Sequence, residues 1–329
     1  MKNTILFPFV VLLVVHFDWA QTALDVNKVT ITVNDLDVSV PFFEKLLGFT
    51  KIEENETSGE ELADLFGLDN PKLVLKTVSL KLGEEHLDLQ EFVNEKSAKQ
   101  IPIDSRSNDL WFQHIAIVVS DMDLAYERLW KYGVTHVSTA PQTLPENITA
   151  AAGIKAFYFQ DPDGHNLELI FFPKGKGDPK WQAVTDKTFL GIDHTAIGIN
   201  NTENAKHFYQ NIIGLKTMGH SENYGTEQEH LNQVFGARLW ISGLRAKRGF
   251  GLEFLDYIAP PGGRPFPKTS LPTDLWHWHT TIKIEDVERV YNRLREERAL
   301  MVSKRIVKMD NKKKFMVRDV DGHALIITE

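Results

Sequence analysis

The stretches "NDLWFQHIAIVVSDM" (108–122) and "TDLWHWHTTIKIEDV" (273–287) are one design written twice: Asp-Leu-Trp, two further residues, a His, then an alternating strand that runs to an Asp. The residues upstream match as well. "FFEKLLGF" (42–49) returns as "FYQNIIGL" (208–215), and "GEELADLFG" (59–67) returns as "GTEQEHLNQVFG" (225–236). Self-similarity over such a distance marks a tandem duplication, with the connector around "PKGKGDPKWQ" (173–182).

Each half divides again. "NKVTITVND" at 27, "QHIAIVVSD" at 113, "DHTAIGINN" at 193 and "WHTTIKIED" at 278 each read as a strand ending near Asp or Asn. An amphipathic helix follows, as in "DVSVPFFEKLLG" and "DLAYERLWKYG", with Gly48, Gly133 and Gly214 as C-terminal stops. Three further strands complete each quarter, the last being "EHLDLQEF" (85–92), "HNLELIFF" (165–172), "FGLEFLDY" (250–257) and "HALIITE" (323–329). The pattern is βαβββ, four times.

Side chains alternate along a strand, so facing can be read from the residues. His114, Ala116 and Val118 oppose Ile115, Ile117 and Val119; His194, Ala196 and Gly198 oppose Thr195, Ile197 and Ile199; His279, Thr281 and Lys283 oppose Thr280, Ile282 and Ile284. One face is bulky and suits packing under a helix. The other is small or polar, begins with His and suits the border of an open space. The last strands divide likewise: Glu168, Glu253 and Asp88 each sit between Leu or Phe neighbours, and sharing the apolar face would cost several kcal/mol, on the order of the penalty for an unpaired buried charge. A strand His is often no more than a hydrogen-bonded structural residue, but three at equivalent positions of a repeat point to function. His165 and His323 follow "DPDG" and "DVDG", turn motifs in which Gly164 and Gly322 take positive φ; both read as hairpin residues. Trp276 and Trp278 read as backing for a cavity wall that carries His277 and His279.

Composition narrows the partners. The 329 residues are 42% hydrophobic with a net charge of −8, which argues against a nucleic-acid partner; the basic run "KMDNKKK" (308–314) reads as a solvated hairpin loop. "MKNTILFPFVVLLVV" followed by "HFDWAQTA" reads as a secretory signal peptide cleaved after Ala20, too short to remain as a stable membrane anchor. The expectation is an exported, periplasmic or extracellular protein. With zero cysteines, no disulfide staples the fold, and any metal must be held by His and carboxylate.

The βαβββ quarters, the strand-opening His and the "DPDGHNLELI" ending (161–170) together resemble the vicinal oxygen chelate superfamily, which includes glyoxalase I, extradiol ring-cleaving dioxygenases and antibiotic-resistance proteins. The resemblance covers about Val26 to Glu329. It implies an α+β fold of four βαβββ modules paired into two glyoxalase-like domains with curved mixed sheets: residues 25–173 and 188–329, joined by a linker at 174–187. It also implies metal ligands on the first and last strands of paired modules. Transferred residue by residue to the second half, those positions hold His194, Glu253, His279 and Ile326; in the first half they hold Lys28, Asp88, His114 and Glu168. The resemblance therefore implies one site of His194, Glu253 and His279, and a weaker second site of Asp88, His114 and Glu168 in which Lys28 competes with a cation. On this assignment Ile326 leaves the four-ligand set of glyoxalase I incomplete, and Glu253 is not where ring-cleaving relatives carry their carboxylate.

The functional expectation is a metal-dependent enzyme, dioxygenase-like or isomerase/lyase-like, acting on a small substrate chelated through vicinal oxygens. Fe(II) or Mn(II) is the expected divalent ion, with Zn(II) next, and Tyr257, two residues beyond Glu253, is a candidate proton donor. The alternative is a non-catalytic protein that sequesters small molecules. A homodimer is compatible with either, since modules of this family pair within a chain or across two.

Overall fold

The computed structural model describes residues 22–95 and 99–329. The expected signal peptide, 1–20, lies outside the described residues. Among those described, no helix is long and apolar enough to cross a membrane.

All four quarters begin as expected. The opening strands are Ala23–Thr32, Gln113–Val119, Phe189–Ile199 and Trp278–Ile284, and the acid or amide at each strand end is a helix N-cap. Asp35 accepts from the Asp37 amide, Asp121 from those of Asp123 and Leu124, Asn201 from that of Asn204 and Asp286 from that of Arg289. Each cap satisfies backbone donors that the first helical turn leaves open. Gly48, Gly133 and Gly214, at φ +74°, +86° and +92°, end three of the helices in the left-handed conformation that favours glycine. The bulky strand faces are core: Val29, Ile31, Ile115, Ile117, Ile197, Ile199, Ile282 and Ile284 share one apolar cluster with Phe43, Leu129, Tyr209 and Leu294 of the helices.

The modules pair differently from their order in the chain. One ten-stranded sheet joins the first quarter to the fourth, through antiparallel pairing of Ala23–Thr32 with Trp278–Ile284; a nine-stranded sheet joins the second to the third, through Gln113–Val119 with Phe189–Ile199. The structural units are therefore not the sequence halves 25–173 and 188–329, although those halves are the repeat. Four equivalent strands can pair in more than one way, and the opening pattern is the same in all of them.

Two crossovers, 93–112 and 260–277, carry the chain between sheets, and they brace one another. Arg264 binds Asp109 through its backbone N–H, Nε and Nη2 at 2.9, 3.0 and 2.8 Å, and Leu110 donates to the Arg264 carbonyl at 2.9 Å. Lys99 reaches the Thr269 carbonyl at 2.6 Å, and Leu275 donates to the Lys99 carbonyl. The two Asp-Leu-Trp stretches thus meet: the rings of Trp111 and Trp276 lie 6.1 Å apart, and Asp109 and Asp274 are both buried. Because each half supplies one module to each sheet, residues 22–173 and 188–329 expressed separately are expected to lack native structure and to recover it only on mixing. Circular dichroism and size exclusion check this; two independently folded monomers would contradict the pairing.

Candidate active site

In the nine-stranded sheet His114 lies opposite Ala196 and His194 lies opposite Ala116. The small alanines let two imidazoles approach diagonally across an antiparallel pair, with ring centroids 5.6 Å apart. Parallel neighbours bring the acids alongside: Glu168 beside Ala116 and Glu253 beside Ala196. His114 Nε2 and His194 Nε2 stand 3.0 and 3.5 Å from Glu168 Oε2, and His194 Nε2 is 3.4 Å from Glu253 Oε2. His114, Glu168 and His194 offer ligand atoms all within 4.8 Å of one another. Two imidazoles and two carboxylates, all from first and last strands, converge at the floor of a cavity of about 370 Å³.

These residues suit a divalent ion. Despite the 3.0 Å approach to Glu168, neither ring nitrogen of buried His114 has a hydrogen-bond partner. The atoms are close without being aligned as donor and acceptor, which is uncommon for buried polar groups, and it is the arrangement of ligands aimed at a shared point. Nitrogen and carboxylate oxygen donors suit Zn(II), Fe(II), Mn(II) or Ni(II).

The two carboxylates are unequal. Glu168 is 6% exposed, faces Tyr158 across the sheet and touches both imidazoles. Burial alone would raise its carboxyl, but His114 and His194 outweigh that and hold it down at about 2. Glu253 is 30% exposed and faces Gly243, where an added Cβ would meet nothing. Burial pushes its carboxyl up, His194 pulls it back, and Glu168 and Asp193 push it up further. Glu168 is a fixed anion, whereas Glu253 is a carboxylate with room to move and a reason to take a proton.

His279 belongs elsewhere, so the set His194, Glu253 and His279 is not brought together. The equivalent position in the ten-stranded sheet holds Lys28, Asp88, His279 and Ile326. Lys28 Nζ binds Asp88 at 2.7 Å and Ser79 Oγ donates to Asp88 at 2.7 Å. Phe66, Phe92, Leu62, Leu65, Met316 and Ile326 fill the space above, with the Phe66 ring 6.2 Å from that of His279. His279 is 3% exposed, and burial, helped by Lys28, pushes its imidazole down to about 3. "WHWH" is thus packed interior rather than cavity wall: His277 is fully buried and sits 3.3 Å from the His279 ring nitrogen. The weaker set is also divided, because His114 and Glu168 join the cavity cluster while Asp88 stays with Lys28. The fourth ligand that Ile326 denied to the C-terminal half is restored, since module two supplies His114 and Glu168 to module three. The sequence signal was available in His-x-Ala at 114 and 194, against Lys-x-Thr at 28 and His-x-Thr at 279.

Tyr257 is placed away from the cavity. It is 4% exposed and its hydroxyl accepts from Asn232 Nδ2 at 2.8 Å, at the end of a buried chain through Gln228 to Asn223. Burial pushes its phenol up. Tyr158, which the strand reading left unassigned, lines the cavity instead, its ring 4.8 Å from that of His114. His165 and His323 are turn residues as expected: each ring accepts no role at the site and pairs with its own turn acid, Asp161 at 2.8 Å and Asp319 at 3.0 Å, with Gly164 and Gly322 at φ +91° and +108°.

His194 sets a pH dependence. Burial disfavours its charged form, but Glu253, Asp193 and Glu168 outweigh burial and raise its imidazole well above the ordinary range. At neutral pH the metal-free ring therefore carries both protons, and an ion can use Nε2 only after one leaves. Divalent-ion affinity should rise with pH, by about tenfold per unit below the raised value, with about one proton released per ion. Calorimetry in buffers of different ionisation enthalpy checks this; a pH-independent affinity would remove His194 from the ligand set.

The comparisons with known proteins agree with this geometry. The profile of the Glyoxalase/Bleomycin resistance protein/Dioxygenase superfamily matches residues 25–169 and 191–327. A 2-epi-5-epi-valiolone epimerase from Actinomyces sp is 31% identical over 158 residues, 46% of this chain and 82% of that one. Glyoxalase I of Saccharomyces cerevisiae is 33% identical over 113 residues, 34% of this chain and 31% of that one. Among solved structures, glyoxalase I from Zea mays aligns with a TM-score of 0.61 at 16% identity, covering 93% of this chain and 92% of that one; a putative dioxygenase from Bacillus subtilis gives 0.56 at 13%, covering 94% and 86%. A repeat whose two copies both match one family, folded into that family's paired modules, places this chain in the Glyoxalase/Bleomycin resistance protein/Dioxygenase superfamily.

Proposed function

We propose that the chain is a metal-dependent isomerase or epimerase of small, uncharged hydroxy-carbonyl compounds. The observation that carries this is the convergence of His114, Glu168, His194 and Glu253 at the floor of one cavity. A divalent ion held there, Fe(II), Mn(II) or Zn(II), supplies a Lewis acid that stabilises negative charge on substrate oxygens. His114, Glu168 and His194 would hold the ion, and Glu253, beside His194 with open space next to Gly243, would be free to act on the substrate, which favours isomerisation by proton transfer over ring cleavage. The epimerase and glyoxalase I relatives support the same class.

The residues divide the work. Glu168, pinned by both imidazoles, neutralises and positions. Glu253, with its raised carboxyl and free space beside Gly243, takes a proton from the carbon next to the carbonyl and returns it to the neighbouring carbon for isomerisation, whereas epimerisation has the enolate take its new proton from solvent on the opposite face. Leu144, Ala151, Ile154 and Ile170 give the cavity apolar walls that limit water. Among the described residues that line it the fixed cation is Arg245, already 3.2 Å from Asp193. A phosphorylated or polycarboxylate substrate would find no spare positive charge, so an uncharged one fits.

Exchange of deuterium from D2O into the carbon next to the carbonyl, followed by NMR across a panel of uncharged hydroxyketones with the ion-loaded protein, tests the reaction class. Glu253→Gln is expected to slow exchange by about 10²- to 10⁴-fold. His279→Ala should lower stability yet leave ion stoichiometry unchanged, because it belongs to the filled sheet. Failure of any divalent ion to bind would favour the sequestration reading instead. The apolar leader supports export; N-terminal sequencing of the protein recovered from outside the cytoplasm should then begin at Gln21, and an intact Met1 would count against it.

A further inference from the structure

We infer that Asp193, held in turn by Trp181, is the positioning residue of this centre, so that the connector between the two repeats is part of it. The inference rests on the reading that the His/Glu cluster binds a divalent ion. Asp193 Oδ2 lies 3.0 Å from His194 Nδ1. An ionised carboxylate can only accept, so Nδ1 carries the hydrogen and Nε2 is the nitrogen turned to Glu168 and Glu253. Donors face both oxygens of this carboxylate, His194 on Oδ2 and Trp181 and Arg245 on Oδ1.

Its other oxygen, Oδ1, accepts from Trp181 Nε1 at 2.8 Å and from Arg245 Nη2 at 3.2 Å. Trp181 stands on a single 3-10 turn, Pro179–Gln182, capped by Asp178 and lying in the connector. That turn is pinned to both sheets. Lys180 Nζ sits 4.1 Å from the Trp181 ring centroid and binds Glu85 of the first module at 2.6 Å, while Glu85 also accepts from the Ile192 amide at 3.2 Å. Gly191 makes room for the arrangement, since a Cβ there would stand 2.7 Å from the Trp181 ring and 2.4 Å from Glu85. The second imidazole has nothing comparable. Gln113 precedes His114, and His114 Nδ1 has no partner. The third quarter is the one in which an acid precedes the ligand position; Asn27, Gln113 and Trp278 precede it in the others.

Zn(II) affinity measured by competition with a chelating chromophore, and the visible spectrum of the Co(II)-loaded protein, test this. Outer carboxylates on ligating imidazoles are worth about 10- to 100-fold in affinity, so Asp193→Asn should bind Zn(II) at least about tenfold more weakly and change the Co(II) band shape. Trp181→Phe keeps the ring and loses only the N–H, and should weaken binding by a few-fold; combined with Asp193→Asn it should add nothing, since it acts through Asp193. Because Trp181→Phe is conservative, it decides even should Asp193→Asn not fold. Affinity within twofold of wild type for both variants, or an unchanged Trp181→Phe cost in the Asp193→Asn background, overturns the inference alone. A wild type that takes up no ion overturns the reading of the cluster, and this with it.

Discussion

The antiparallel pairing of Gln113–Val119 with Phe189–Ile199 sets each imidazole against the other strand's alanine, and a one-residue slip would turn both rings into the apolar core. The register is secured from behind. Ile115, Ile117, Ile197 and Ile199 are buried against the helices, so the same alternation that packs the core aims His114 and His194 at the cavity. Glu168 and Glu253 follow on the next strand to either side, and their mutual repulsion is tolerable because two imidazoles lie between them.

The ten-stranded sheet shows what the scaffold does without a ligand set. Lys28 takes the place of the first imidazole and neutralises Asp88 directly, so no external cation is called for. The helix Glu60–Phe66 then drives Leu62, Leu65 and Phe66 over the strands. Its counterpart in the third module, Thr226–Asn232, places Gln228 and Asn232 at the same point and leaves the cavity open, with its polar side chains tied to Asn223 and Tyr257. One copy of the duplicated site is packed core and the other borders a cavity. With the Lys28 side chain 38% exposed, this ion pair contributes little net stability on its own; the apolar filling does more.

Charge within the cavity is consistent with a centre built around a cation. Glu168, Glu253 and Asp193 converge on a small volume, balanced by His194 and by Arg245 at its edge. Such a concentration of acids raises the imidazole beside it. The connector closes this arrangement through Trp181 and Lys180, which gives the segment between repeats a structural task beyond spanning a gap.

From the sequence alone came the duplication, the βαβββ quarters, the capping acids and glycines, and the facing of every strand, because these rest on local rules: period-two alternation, N-cap chemistry and positive φ. The residue types of the site were legible for the same reason, and His114, Glu168, His194 and Glu253 were all singled out. What could not be read was which quarters pair. That pairing joins strands far apart in the chain and is accompanied by equally distant contacts, Arg264 with Asp109 and Lys99 with the Thr269 carbonyl, and through it His194 meets His114 rather than His279. The local difference between the four strands, Ala two residues after His114 and His194 where Lys28 and His279 are followed by Thr, takes its meaning only from the closed tertiary structure, in which each His of the pair faces the other strand's Ala.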